Sequence, residues 1–325
     1  MTRVQSVVKS LLIAACAHVS VLSAGTLYNV YVSEVGGDFV SVIDPTTNKV
    51  SASIYVPSAP TGIAVSPDGS TAYVACQVTK TVAVIKTSTN TLTTSVQLSS
   101  QPTALALTPN GSQVYTVNPT VGTVTVINTS NHSIAATITV GTRPSGVAFN
   151  PAGTLAFVTN LWSSSVSVIN TSSHAVVNTF ASGSGPSAAA VSPDGKRLYV
   201  TNAYANTMTV YDLTKTNYPL IKTISGFTYP NWVSITPYGS EAYVTNGNAS
   251  TVSVISTSTY GTVATISTGI AGVIPTSVAI SADGTRAYVT NEMGASVAVI
   301  DTKAHAVITT LAKIGFNPVA AATRH

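Results

Sequence analysis

Tyr199-Val200-Thr201-Asn202 returns as Tyr243-Val244-Thr245-Asn246 and again as Tyr288-Val289-Thr290-Asn291. Close variants begin at Tyr31, Tyr73, Tyr115 and Phe157, so the seven starts are spaced by 42, 42, 42, 42, 44 and 45 residues. Further markers hold the same phase. A strand-like Val-x-Val-Ile stretch ends twelve positions after each start, at Ile43, Ile85, Ile127, Ile169, Tyr211, Ile255 and Ile300. A proline stands thirteen positions before six of the starts, at Pro60, Pro102, Pro144, Pro186, Pro230 and Pro275. Between proline and start lies a turn signal such as Pro67-Asp68-Gly69, Pro193-Asp194-Gly195 or Ala282-Asp283-Gly284. Those residue types supply the dihedrals of a tight turn.

Each unit reads as four short strands rich in Val, Ile and Thr, the composition that pleated surfaces favour. In the unit at 186–224, strands are expected over 188–192, 196–201, 207–212 and 221–224. Repeats of this length with four strands apiece are the signature of a β-propeller, in which stacked blades bury faces that no blade can bury alone. The expected fold is therefore all-β, a seven-bladed propeller occupying residues 26–325. The chain enters at the second strand of the first unit. It ends on Asn317-Pro318-Val319-Ala320-Ala321-Ala322-Thr323, which has the character of a first strand. The C-terminal strand is thus expected to complete the first blade from the inside, leaving no open seam.

The Tyr-Val-Thr-Asn run, the Ser-Pro-Asp-Gly turn and the Val-Ile-Asp strand resemble those of the YVTN-repeat β-propellers, over about residues 26–325. The resemblance implies an exported protein. It names no ligand.

Composition excludes several classes. Only 7% of the 325 residues are charged and 45% are hydrophobic, the opposite of a disordered chain. Of 14 Lys and Arg, Arg3 and Lys9 fall in the first 25 residues, leaving 12 against 10 acids. These are scattered, apart from the pair Lys196-Arg197, so nucleic acid is not an expected partner. Two cysteines, Cys16 and Cys76, give neither a disulfide framework nor a thiolate zinc site.

Arg3 and Lys9 precede an apolar run from Leu11 to Leu22, closed by Ser23-Ala24-Gly25. This is the pattern of a signal peptide over residues 1–25. It is too short for a transmembrane helix in the mature chain. Ile13-Ala14-Ala15-Cys16 also resembles a lipoprotein cleavage box, which would acylate Cys16. A buried first element is the bland alternative. The expected location is secreted, periplasmic or at the cell surface, and a monomer is expected.

Departures from the repeat on the face carrying the two-to-three and four-to-one loops, the top, are the best hints of a site. Trp232 takes a phase held elsewhere by Gly62, Ala104, Gly146, Ala188, Ser277 and Ala320. At a channel mouth it could stack a ligand, while the bland reading makes it a channel plug. Tyr229 lies close by, and Trp162, Tyr204 and Phe316 fall in other top loops. Arg143 is the one top-loop arginine and suits a carboxylate or phosphate. Glu34, Glu292 and Asp38 lie outside the repeat template. Glu34 and Glu292, in adjoining first and seventh blades, could as a carboxylate pair hold a cation or act as acid and base, with Asp38 a further candidate, against the plainer reading of solvated loop charges. His132, His174 and His305 share one phase in the three-to-four turns and read as turn residues. No cofactor is expected. The leading reading is a scaffold that binds a protein or small ligand through its top face. A lactonase- or lyase-type propeller enzyme with a cation site at the channel mouth is the second reading. An envelope structural protein is the third.

Overall fold

The computed structural model describes residues 27–269, 272–315 and 317–324. The signal-like segment with Cys16, and Phe316 in the closing loop, lie outside them. The described chain is all-β apart from a single 3-10 turn at Glu292–Gly294, and its strands form seven four-stranded antiparallel sheets. No helix among the described residues is long and apolar enough to cross a membrane.

In the fifth blade the strands run Pro186–Val191, Arg197–Asn202, Thr207–Asp212 and Leu220–Ser225. Strand three matches its expected limits, while the others differ by one or two residues at their ends. Its two-residue alternation does not separate a wet face from a dry one, because Met208, Thr209, Val210 and Tyr211 are all buried. Each blade is covered on both faces by its neighbours, so both sets of side chains enter a core. Within the sheets, exposure is concentrated on the outermost strand, where Val50, Leu92, Ile134, Val176 and Leu220 meet solvent.

Closure is as expected. Pro318–Ala322 pairs with Val30–Glu34, in the register Tyr31 to Ala322, Val32 to Ala321 and Ser33 to Ala320. The first blade therefore joins both ends of the described chain, with Thr323 Oγ1 donating to Tyr28 O at 3.2 Å.

Two rings of side-chain contacts fasten the blades. Near the axis, Ser145 Oγ donates to Pro186 O and Ser187 Oγ to Pro230 O, each at 2.9 Å from one blade to the next. On the bottom face, one residue of every three-to-four turn takes a left-handed conformation: Asn48, Asn90, His132, His174, Tyr218, Tyr260 and His305, with φ between 46° and 61°. Each reaches back to the preceding blade. Asn90 accepts from Tyr31, His132 meets Tyr73, His174 meets Tyr115 and Tyr218 meets Phe157. Tyr260 accepts from Arg197, His305 meets Glu241 at 3.0 Å, and Asn48 accepts from Arg286. The shared phase of the three histidines is thus an inter-blade clasp.

The motif asparagine is structural too. In blades three to six its Nδ2 donates to hydroxyls five and seven residues later, as Asn118 does to Thr123 and Thr125. This ties the third strand to the second. The turn aspartates accept from their own turns, for example Asp68 from Ser66 and from the Ser70 N–H.

Candidate functional site

Four of the sequence-selected residues come together on the top face across blades four to six. Arg143 and Tyr229 each precede the proline that opens a first strand. Trp162 and Tyr204 each follow a motif asparagine, in the two-to-three loop. The Arg143 guanidinium lies over the Trp162 ring, 4.5 Å from its centroid. The Tyr204 and Tyr229 rings are 6.3 Å apart. Leu161 and Ala203, both buried, pack with Tyr229 as an apolar floor. The Asn206 side chain accepts from the Tyr229 backbone N–H at 2.7 Å. Leu161, Ala203 and Asn206 were not selected from sequence. Their only signal was position, beside the aromatic departures.

The backbone makes this placement costly. Arg143 and Tyr229 have φ of 56° and 57°, and Gly185 holds the same position in blade five at 69°. Glycine occupies that region freely, whereas an L side chain costs about 1 kcal/mol there. The residue before proline is already confined to a narrow backbone range. Ala59 and Asn317 take the same conformation before their prolines, so it belongs to the repeat, and Arg143 and Tyr229 are the large side chains placed on it, in loops on either side of that of Gly185.

Electrostatics sharpen the patch. The Arg143 Nε–H is buried without an acceptor among the described residues. A buried unsatisfied donor costs about 1–3 kcal/mol, and more when charged, so holding Arg143 against Trp162 is a further cost of this patch. Burial pushes the Tyr229 phenol well above its ordinary value, Tyr204 adds to the rise, and Arg143 opposes it. Tyr229 therefore stays protonated at neutral pH and can donate a hydrogen bond. Trp162 and Tyr204 are 60% and 46% exposed, so the patch is open to a ligand.

Trp232 does not join it. The indole is 2% exposed, and its Nε1 donates to Ser234 Oγ at 3.1 Å. It belongs to an apolar cluster that includes Ala104, Val147, Ala188 and Val278, from four other blades. The expectation of a ligand-stacking tryptophan is corrected on that ground: the small residues at the same phase leave space that one indole fills from within. Phe316 lies outside the described residues.

The carboxylates are placed apart from the patch. Glu34 occupies the motif asparagine position of blade one, is buried, and accepts from the Ser41 hydroxyl, seven residues on. Burial raises its carboxyl above the usual range and the Ser41 bond partly offsets that. Its substitution exchanges an amide donor for an acceptor in the strand tie. Glu292 opens the 3-10 turn of blade seven. Asp38 accepts from the Ala59 N–H at 2.9 Å, joining blades one and two. Among the described residues no group of three or more His, Cys, Asp or Glu is arranged to hold a metal ion.

With this geometry in place, the chain can be compared with known proteins. It is a seven-bladed β-propeller. The family model "Lactonase, 7-bladed beta-propeller" matches residues 138–280, a span that holds Arg143, Trp162, Tyr204 and Tyr229. A functionally unknown Desulfotomaculum acetoxidans protein superposes with a TM-score of 0.81 at 18% identity, covering 92% of this chain and 99% of its own. A Bacteroides uniformis protein, provisionally a 6-phosphogluconolactonase, gives 0.79 at 16% identity, covering 92% and 100%. Kuenenia stuttgartiensis hydrazine synthase gives 0.78 at 20% identity, covering 88% and 95%. At these identities the likeness is one of fold. No curated protein sequence matches the chain.

Proposed function

We propose that the protein is a propeller enzyme of lactonase type, acting on lactones that carry an acidic group. The observation that carries this reading is the coincidence of the lactonase-family match, residues 138–280, with the blades that bear the Arg143–Trp162–Tyr204–Tyr229 patch. In lactone hydrolysis, water adds to the ring carbonyl, the ring C–O bond breaks, and a hydroxy carboxylate and a proton are released. The patch offers three parts of what such a substrate needs. Arg143 supplies a guanidinium cation beside Trp162 for the acidic group. Trp162 and Tyr204 present faces to the ring. The protonated Tyr229 phenol can donate to the oxygen on which negative charge develops.

The test is proton release from a panel of acidic and neutral lactones, with Arg143→Gly as the variant. Glycine suits φ of 56°, so the melting temperature should hold or rise. Loss of a charged hydrogen bond should lower kcat/KM on acidic lactones about tenfold to a hundredfold. Neutral lactones should be little affected. No hydrolysis of any lactone above background would refute the enzyme reading.

A second reading is a binding scaffold using the same patch, favoured by the exposure of Trp162 and Tyr204. It predicts thermal stabilisation by acidic lactones without turnover. Either reading goes with an exported protein, supported by the signal-like residues 1–25 and the YVTN-type repeats. The mass of the mature N-terminus checks cleavage and any acylation of Cys16.

A further inference from the structure

The bottom face, at the opposite strand ends from the patch above, carries a second candidate site between blades five and six. An open groove of about 600 Å³ is lined by Lys196, Arg197, Tyr199, Tyr238 and Tyr260, with hydroxyls from Ser192, Thr257 and Ser258. That volume lies within the range of small-molecule sites.

Two departures from the repeat converge there. Lys196-Arg197 is the single adjacent pair of basic residues in the chain. Tyr238 stands where the turns of blades two, three, five and seven have Asp68, Asn110, Asp194 and Asp283. Blade six thus contributes an exposed ring, 77% accessible, in place of a short Asp or Asn side chain. Tyr260 is the clasp residue of this gap.

The two cations are held only at long range. Lys196 Nζ lies 3.8 Å from Asp194, and Arg197 Nη1 3.9 Å from Asp212. Arg197 donates to Tyr260 Oη at 3.5 Å and to Lys196 O at 3.4 Å. Arg286, at the same phase in blade seven, provides the internal comparison: it donates to Asn48 Oδ1 at 2.9 Å. Arg286 thus makes one short bond across its clasp, whereas every side-chain contact of Arg197 is 3.4 Å or longer, which leaves it able to take a further acceptor. Asp194 is the one acid lining the groove, against two cations.

We infer that this groove binds an anionic saccharide, with Lys196 and Arg197 taking its acidic group and Tyr238 and Tyr260 flanking a sugar ring. A pyranose presents an apolar C–H face that packs on an aromatic ring. Its hydroxyls match the Ser and Thr hydroxyls of the lining. A guanidinium and an ammonium discriminate for the acidic group.

The test measures binding by the full chain of trigalacturonate, glucose 6-phosphate and neutral maltotriose, using calorimetry. Tyr238→Asp is the decisive variant. It restores the turn residue of the other blades, and Thr236 can donate to it as Thr108 does to Asn110. Folding should therefore be unharmed, with an unchanged or raised melting temperature, while an anion now faces the anion. Expected is binding of one or both acidic sugars, weakened by salt, with at least tenfold loss in Tyr238→Asp and in Lys196→Gln. Trigalacturonate binding identifies a uronate polymer as the source, and glucose 6-phosphate binding a soluble phosphosugar. No binding of either, equal binding of maltotriose, or full retention in Tyr238→Asp would overturn the inference. Lactone hydrolysis, read in parallel, should be untouched by Tyr238→Asp, so failure here leaves the top-face reading to its own test.

Discussion

Closure of the ring by a C-terminal strand makes a quantitative demand on one side chain, Val319. It is fully buried, in a cluster with Tyr31, Val40, Ile63 and Val74 from the first and second blades. Val319→Ala removes two methyl groups, about 1.6 kcal/mol of transfer free energy at roughly 0.8 each. A residual cavity adds about 1 kcal/mol, giving a loss on the order of 2–3 kcal/mol. Unfolding entropy near 2.1 cal/mol/K per residue gives about 0.6 kcal/mol/K for a domain of roughly 300 residues. The melting temperature should therefore fall by about 4 °C. The assay is differential scanning calorimetry, with two comparators. Val74→Ala, in the fully paired second strand of blade two and also fully buried, should cost about as much. Val50→Ala, 43% exposed on the outer strand of blade one, should cost under about 0.5 kcal/mol. If Val319→Ala behaves like Val50→Ala, the C-terminal strand is not an integral part of the ring and the closure argument fails. Truncation after Gly315 extends the test: it should strip the inner edge from blade one and abolish the single cooperative transition.

Trp232→Ala should cost about 3–5 kcal/mol and lower the melting temperature by several degrees, because the indole is buried core; ligand binding lost in this variant without such a drop would contradict its placement. Glu34→Gln should raise the melting temperature at pH 7 but not at pH 4. The carboxyl pKa is raised in the folded state, so its contribution is complete below the unfolded value and is lost as pH rises through the folded one, a loss the amide escapes. A melting-temperature difference that is flat with pH would show that Glu34 is not the cause. Asp68 has the opposite sign. The Ser66 hydroxyl and the Ser70 N–H hold its carboxyl below the ordinary range, so its contribution is present above the unfolded value and is lost as pH falls through the folded one. Ser66→Ala should flatten the fall in melting temperature on acidification below about pH 4, and an unchanged slope would refute the assignment.

Most of the architecture was legible from the chain because a repeat in phase is a statement about stacking. Tyr-Val-Thr-Asn, the Pro-Asp-Gly turn and the pre-strand proline recur so regularly that seven blades and the closing strand follow by counting. The same phase showed the three histidines to be turn residues. The placement of four selected residues was legible too, since Arg143, Trp162, Tyr204 and Tyr229 depart from a template in loops that the fold gathers on one face.

What sequence could not decide was where a departing side chain goes. Trp232 and Tyr204 are both aromatics that depart from the repeat, yet one is buried and the other is 46% exposed. The difference is the volume left by the small residues of neighbouring blades, which no single repeat encodes. Glu34 read as a charge beyond the template, but it sits where an asparagine ties two strands and accepts from Ser41. Arg197 and Arg286 share a phase, and only the partner on the next blade, Tyr260 or Asn48, separates a long contact of 3.5 Å from a short one of 2.9 Å. A repeat sequence determines the blade and the order of blades, because those depend on local pattern. Burial, pairing and the gathering of a site depend on contacts between residues tens to hundreds of positions apart, and the ring alone sets them.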